Sequence, residues 1–485
     1  MNKGRSASQE SRRRISRFIM AGILVCGLLL IVLMPPFTAP DERIHFANIW
    51  AISNGSIFPD VKEGQPVRWL PESYRAVWNR YPAEFLGVDN QNKYSWEQLK
   101  TDLDARGPDS SGNNGFPVPT AVMSLGYCFP AAGMIIFRLL GSLLRIPWLS
   151  GIYAQLQAGR MANLIFYALV SCFALQRSRF FPRTAMLILC MPMSLYLGAS
   201  LSYDAVIIPV SIYWFSLILS IRGAVGKKVQ SADRTRLVLS GIFLVGTKPV
   251  YGLLLFFLFF IQEQLFRNQK HRGLRVLLFI AGICFLGMLP AMIQAVRGPR
   301  IFNPAEEKQL SWLAAHIPMF PAILIRTAAE KIPAYAVGFW GNLGWLDVRI
   351  PYGIVFLGML VLLLVSCYEA GTFSGLRILR WHRVMILGGM ICSFILFALW
   401  MYVTHSSLFE TGGGIVKGIQ GRYFIPCFLP LVFAFQNNRL GRFLETRQGQ
   451  GRSFFPEKGI WITTVLWCMA CELITVLTIA FRYWF

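Results

Sequence analysis

Four short polar stretches in this sequence carry residues able to do acid–base or anion chemistry, and long apolar runs separate them. The first is Pro40-Asp41-Glu42-Arg43-Ile44-His45. Asp41 and His45 are four apart and Glu42 and His45 three apart, so a helix starting here is expected to show all three on one face. A carboxylate near a second carboxylate and beside lipid has a raised pKa, which suits a general base that accepts the proton of a hydroxyl. The same residues also make an ordinary helix start. Asp is a favoured N-cap, Glu suits a first turn, and Asn54-Gly55 supplies a stop.

The second stretch is Ser200-Leu201-Ser202-Tyr203-Asp204-Ala205. Asp204 suits the N-cap of the following helix, but an acid at the edge of a membrane bundle also needs a partner, and Lys248, Arg160 and Arg422 are the candidates. The third is Gly418-Ile419-Gln420-Gly421-Arg422-Tyr423, preceded by Gly412-Gly413-Gly414. Glycines let backbone amides approach an anion, and an arginine at the boundary holds a phosphate bidentately. A flexible outer turn with a snorkelling arginine has the same pattern. The fourth is Gly341-Asn342-Leu343-Gly344-Trp345-Leu346-Asp347. With Trp69, Trp78, Tyr81 and Trp96, it offers aromatic faces beside carboxylates and amides, which suit sugars and equally suit an interfacial aromatic belt. Glu472 stands alone near the middle of an apolar run and reads as a hydrogen-bonded structural group. Cys468 and Cys471 have the C-x-x-C spacing, but on an apolar helix.

The elements that must position these groups follow from composition. Of 485 residues, 55% are hydrophobic and 15% charged, with Lys+Arg 47 against Asp+Glu 24 and a formal net charge of +23. Water-soluble domains run near ~25% charged, so this chain has lipid as its second solvent. The basic excess comes in short clusters between apolar runs, which is the positive-inside pattern rather than a nucleic-acid surface. Lys3, Arg5, Arg12, Arg13, Arg14 and Arg17 precede an apolar run from Phe18 to Met34. Phe37 is poorly suited to a signal cleavage site after Ala39, so an uncleaved first helix is expected, with its N-terminus in the cytoplasm. Residues 35–117 carry 8 Lys+Arg against 11 Asp+Glu and belong on the outer face. No cysteine lies between Pro35 and Pro117, so this outer loop is held without disulfides.

The expected organisation is a basic N-terminus at 1–17, a first transmembrane helix at 18–34, an outer loop with the acidic motif at 35–117, and a helical transmembrane domain at 118–485. The segment from Val118 to Leu144 carries Pro130 and Arg138 and is read as an interfacial or re-entrant hydrophobic hairpin. That reading sends Arg177, Arg179 and Arg183, and the later basic clusters up to 437–459, to the cytoplasm. Further spans are then expected near 153–175, 184–201, 204–221, 237–246, 249–264, 276–296, 352–368, 385–403, 423–436 and 460–481. With the first helix these make about eleven transmembrane helices in an all-α polytopic fold, the C-terminus outside, several of them shorter than the ~20 residues of a full span. The pair around Thr247-Lys248-Pro249 is the shortest and is compatible with a buried hairpin.

In order along the chain, Pro36-Phe37-Thr38-Ala39-Pro40-Asp41-Glu42 with His45, Gly159-Arg160-Met161-Ala162-Asn163, Ser200 to Ala205, Gly344-Trp345-Leu346-Asp347 and Gly418 to Tyr423 resemble a bacterial family of polytopic membrane proteins. That family is domain of unknown function 2142, related to the GT-C class of lipid-dependent glycosyltransferases. The aromatic-Pro-Pro pattern frequent in such proteins is present only loosely, as Phe116-Pro117-Val118-Pro119. The resemblance implies a GT-C-like fold in the bacterial plasma membrane, with its pocket on the outer face. It also implies a polyprenyl-phosphate-linked sugar as donor and a cell-surface glycan or lipid as acceptor. Carried onto this sequence, the base is Asp41, with Glu42 or Asp204 as second acid. His45, Arg160, Lys248, Trp345, Asp347, Gln420, Arg422 and Tyr423 line the substrate, with Lys248 and Arg422 on the phosphate. A divalent metal on the acids is open but not signalled, and nucleic acid is not expected as a partner. A transporter or flippase, or a polymerase or ligase of lipid-linked saccharides, are the rival functions. A non-catalytic scaffold accounts for the basic clusters but not for the ordered outer motifs.

Overall fold

A computed structural model describes residues 2–104, 115–120, 123–224, 226–267, 270–297, 302–372, 379–435 and 457–485. Most of the basic segment expected at 437–459 lies outside these residues. The chain is mostly helical. It opens with α1 (Asn2–Leu33), α2 (Glu42–Ser53), α3 (Arg75–Arg80), α4 (Trp96–Asp104), α5 (Cys128–Leu143) and α6 (Ile152–Arg177). Then follow α7 (Pro182–Cys190), α8 (Pro192–Gly198), α9 (Asp204–Arg222), α10 (Ser231–Thr247), α11 (Gln262–Leu265) and α12 (Arg272–Arg297). The last are α13 (Pro304–Ala315), α14 (Phe320–Trp340), α15 (Tyr352–Thr372), α16 (Arg380–Thr404), α17 (Ile425–Ala434) and α18 (Glu457–Tyr483). Among the described residues, 8 helices are long and apolar enough to cross a membrane, or up to 9 if a pair bent by 87° is one span. The chain is therefore a polytopic membrane protein.

Side-chain contacts sort the helix termini to two ends of the bundle. At one end Cys172 of α6 meets Ser16 of α1, Sγ to Oγ 3.7 Å. There, too, Arg177 pairs with Asp233 at 3.3 Å and Ser220 donates to the Arg177 carbonyl. At the other end the carbonyls of Met34 and Pro35 accept from Arg160, Asn163 donates to the carbonyls of Ser200 and Ser202, and Ser124 donates to that of Thr247. All four polar motifs of the sequence gather towards this second end.

Several segments differ from expectation. The stretch from Val118 to Leu144 is not a hairpin: the end of a strand leads into the single helix α5, which runs antiparallel to the first half of α6. Phe129 stacks on Phe166 with centroids 3.9 Å apart, and Gly133 lies so close to α6 that a Cβ there would stand 2.6 Å from the Ala158 carbonyl. The expected span at 184–201 is broken between Cys190 and Pro192, where a proline opens α8 because it lacks the N–H that would continue α7. The helices α13 and α14, bent by 87° to one another, were not anticipated. Pro249–Ile261 is a 3₁₀ helix of 13 residues, whose rise of ~2.0 Å per residue gives about 26 Å where an α-helix gives about 20 Å. A stretch too short to span as an α-helix thereby reaches from Lys248 to the end where Arg222 donates to the Phe260 carbonyl.

The segment between α1 and α5, expected on the outer face, is not all-α among its described residues. It holds a three-stranded antiparallel sheet of β1 (Asp60–Lys62), β2 (Gln65–Pro71) and β3 (Gly115–Pro119). β4 (Asn342–Leu343) and β5 (Val348–Arg349) form a small hairpin after α14. Arg68 of β2 ties the loop to α2 through the Asn48 side chain and the carbonyls of Ser56 and Ile57. Asp102 of α4 accepts from the hydroxyls of Tyr81 and Tyr94. These polar ties, not disulfides, order the loop.

The corner between α1 and α2 is held by a buried ion pair. Arg160 Nε donates to Glu42 Oε1 at 2.9 Å and Nη2 to Oε2 at 2.6 Å, with both side chains fully buried. The guanidinium also donates to the Met34 and Pro35 carbonyls, and Glu42 accepts from the Leu201 amide at 3.1 Å. Removing one partner of such a pair strands the other charge and costs ~3–5 kcal/mol, whereas replacing both by apolar groups costs far less. Arg160→Met is therefore expected to lower the thermal midpoint of the detergent-solubilised chain sharply. Glu42→Leu added to it is expected to restore much of the loss, and additive losses would contradict the pairing.

Candidate functional site

Asp41 and Glu42 are neighbours with opposite destinations. Asp41 occupies the N-cap position of α2 in the left-handed region, φ 59, and its side chain makes no capping hydrogen bond. This conformation is unusual for a residue with a Cβ, and the two neighbouring carboxylates meet different arginines. The single face expected for Asp41, Glu42 and His45 is thus split. Glu42 enters the Arg160 pair, and Asp41 turns to Arg422. The expected stop holds, with Asn54 at the C-cap and Gly55 at φ 87.

Arg422 lies between two carboxylates. Its Nη2 donates to Asp41 Oδ2 at 3.1 Å, and its Nε stands 3.5 Å from Asp204 Oδ2. Arg422 and Asp204 are almost wholly buried, whereas the Asp41 side chain is 46% exposed. Asp204 does not cap α9. It is the first residue of that helix, and its own amide donates to the Ser202 hydroxyl. Arg422 rides on a 3₁₀ turn, Gly421–Phe424, pressed against α14. A Cβ on Gly421 would stand 2.0 Å from the Tyr335 carbonyl, so only glycine allows the approach.

Lys248 sits at the break between α10 and the long 3₁₀ helix. Its Nζ is buried with no hydrogen-bond partner, 3.7 Å from the ring centroid of Tyr423, with the rings of Phe397, Tyr203 and Tyr251 at 5.2, 5.4 and 5.7 Å. Arg422 Nε and Nη1, Asp204 Oδ2 and Gln420 Oε1 are likewise buried without a hydrogen-bond partner. His45, one turn after Asp41, is buried with Nδ1 2.9 Å from the Tyr127 hydroxyl and its ring edge-on to Tyr203. The charges of Asp41, Arg422, Asp204 and Glu42 all act on this imidazole.

Residues 24–432 match the model of a family described as "Predicted membrane protein (DUF2142)". The chain belongs to this family. No curated protein and no solved structure matches it.

In this DUF2142 chain the structure brings together Asp41, His45, Asp204, Lys248, Arg422 and Tyr423, with Gln420 on the same turn. Other expected site residues are engaged in the scaffold. Glu42 and Arg160 are closed on one another. Trp345 Nε1 donates to the Phe37 carbonyl at 3.2 Å, and Asp347 accepts from the amides of Gly87 and Trp345, which fastens the β4–β5 hairpin to the segment after α1. The Gly412 amide is occupied by Gln309 Oε1. Glu472 packs against Gly22 of α1, without a cation beside it in any described ion pair. Among the described residues no group of three or more His, Cys, Asp or Glu side chains is set to hold a metal ion, and a guanidinium joins Asp41 to Asp204. Tyr127, Tyr251 and Phe397 carry no signal in the sequence, and Tyr203 enters there only as part of the Ser200–Ala205 stretch. Tyr203 adjoins Asp204, and that adjacency was the one available signal.

Burial pushes the His45 imidazole down to about 4, with Arg422 acting in the same sense against the neighbouring carboxylates. Its folded value lies below the unfolded ~6.5, so the neutral ring stabilises the fold above pH ~6.5, and the contribution is lost as pH falls towards 4. The stake is about 3 kcal/mol. The native chain is expected to lose thermal stability more steeply than His45→Asn between pH 7 and 5, and parallel curves would contradict this.

Proposed function

We propose that the chain is an inverting membrane glycosyltransferase, related to the GT-C class. It moves a sugar from a polyprenyl-phosphate donor to a glycan or lipid acceptor at the outer face of a bacterial plasma membrane. The observation that carries this reading is Arg422 held between Asp41 and Asp204 beside Lys248, with nitrogen atoms on both cations free of hydrogen bonds. Asp41, the exposed acid of the pair, takes the proton of the acceptor hydroxyl. The oxygen attacks the anomeric carbon, the bond from that carbon to the phosphate oxygen breaks, and the electron pair leaves with the lipid phosphate. Lys248 and Arg422 stabilise the charge gathering there, an effect strongest where water is scarce. Asp204 keeps Arg422 in place, and the half-exposed Trp345 offers a face to a sugar.

The same reading has about eleven crossings, the basic end in the cytoplasm and the C-terminus outside. The broken α7–α8 segment, the 3₁₀ helix and α17 then serve as crossings alongside the long helices, while α5, α13 and α14 stay on the outer side. A transporter would spread polar groups along a path through the bilayer. Here the charges of the candidate site collect at one end, the buried Arg183–Glu369 pair is closed on itself, and Glu472 stands apart, which favours the transferase. A polymerase or ligase differs mainly in its donor.

A positioned general base contributes typically ~10²–10⁴-fold. Asp41→Asn is expected to reduce transfer of labelled sugar from a polyprenyl-phosphate donor in membranes by about that factor, with the chain still folded. Transfer that survives the substitution would falsify the assignment.

A further inference from the structure

The Lys248 ammonium has an unusual place of rest. It is buried, no oxygen accepts a hydrogen bond from it, and aromatic rings surround it, Tyr423 closest at 3.7 Å. The cage is braced. The Tyr251 hydroxyl donates to the Tyr423 carbonyl at 2.9 Å, and Phe397 meets Tyr423 edge-on with centroids 4.9 Å apart. The wall residues come from the start of α9, the 3₁₀ helix, α16 and the Arg422 turn. Ring faces hold a cation by their quadrupole but satisfy none of its N–H donors, whereas a phosphate oxygen satisfies both charge and hydrogen bond. Arg422, over whose guanidinium the same Tyr423 ring lies at 5.3 Å, also has Nε and Nη1 without hydrogen-bond partners. Two buried cations with unfilled donors thus flank one aromatic ring.

We propose that the cage of Tyr203, Tyr251, Phe397 and Tyr423 is a holding place for the Lys248 ammonium, from which a phosphate entering beside Arg422 draws it. Tyr423 is then a positioning residue that acts through Lys248 and sets the affinity for phosphate. This deepens the transferase reading and rests on it for the lipid origin of the phosphate. The cage stabilises the empty state, so it competes with the ligand, because a ligand shifts an equilibrium only by its differential interaction with the two states.

The test is a binding cycle on the full chain in detergent, titrated with inorganic phosphate in one arm and farnesyl phosphate in the other. Lys248→Met is expected to weaken binding by roughly tenfold or more, as befits a lost charge-assisted contact. Tyr423→Leu is expected to tighten it by roughly three- to tenfold, the scale of a desolvated cation–π contact. Tyr423→Phe, which keeps the ring face, stays near the native affinity. In the Lys248→Met background Tyr423→Leu changes nothing, an outcome that a merely structural tyrosine does not produce. The same change in both backgrounds, weaker binding by Tyr423→Leu, or no binding in either arm overturns the proposal. If Tyr423→Leu does not fold, Phe397→Leu enters the same cycle. Binding of farnesyl phosphate supports a lipid occupant, and binding of inorganic phosphate alone supports a free anion at the same place beside Arg422. Failure of the transferase reading is seen separately, as sugar transfer that survives Asp41→Asn, since the binding cycle needs no transfer.

Discussion

A guanidinium buried at the edge of lipid is stable only where carboxylates meet it, and Arg422 depends on two that come from distant parts of the chain, at 3.1 and 3.5 Å. Asp204 is easily supplied, because it opens α9 in the midst of the bundle. Asp41 is not, because it follows a span and precedes a loop of some eighty residues. Its position rests on the corner between α1 and α2, and that corner is fixed by Arg160 binding Glu42 and the last carbonyls of α1 together. One closed ion pair therefore holds one end of a second, more open one.

The two consecutive acids divide the work because the backbone divides them. In a regular helix neighbouring side chains diverge by about 100°. Asp41, at φ 59, stands outside the helical conformation, and the two carboxylates meet Arg422 and Arg160 respectively. Phe37, at φ 59, and Leu346, at φ 68, are also in this region. Trp345, next to Leu346, reaches the Phe37 carbonyl, so unusual backbone gathers where the segment after α1 meets the β4–β5 hairpin. Such conformations persist only when the surroundings over-determine them, and the hydrogen bonds of Trp345 and Asp347 supply that constraint.

Much of this was legible in the sequence, for identifiable reasons. Charge runs and apolar lengths marked a polytopic chain, and Asp41, Asp204, Lys248 and Arg422 stood out because ionised groups beside lipid are rare and need partners. What spacing could not tell was which cation meets which acid. Arg160 and Arg422 look alike as boundary arginines, yet one is saturated by Glu42 and two carbonyls while the other retains unpaired nitrogens. The helical face drawn through Asp41, Glu42 and His45 failed because residue spacing carries no record of a left-handed cap. The aromatic cage was invisible for a related reason: Tyr251 and Phe397 lie within apolar runs, where an aromatic ring has no distinguishing composition. Helices α13 and α14 were passed over because their charged residues and prolines dilute the apolar signal that marks a span.

How this fold treats a buried charge with a purely structural task shows in its other acids. Glu42 has a bidentate arginine and a backbone amide. Asp102 has the hydroxyls of Tyr81 and Tyr94, with Arg80 at 3.7 Å. Glu369 accepts from the amides of Arg183 and Thr184 at the start of α7 and faces the Arg183 guanidinium. Glu42 and Glu369 are closed by protein partners, as buried charges must be when nothing else arrives to satisfy them, while Asp102 Oδ1 and Glu472 Oε1 are single atoms left without a hydrogen bond in separate places. Arg422, Asp204 and Lys248 depart from this rule together and in one place. A single unpaired atom is a tolerable defect, but adjacent cations with unfilled donors carry a cost that folding alone does not recover. An anion that completed their hydrogen bonds would recover it, and under the proposed transferase reading the half-exposed Asp41 carboxylate is the side from which the acceptor arrives.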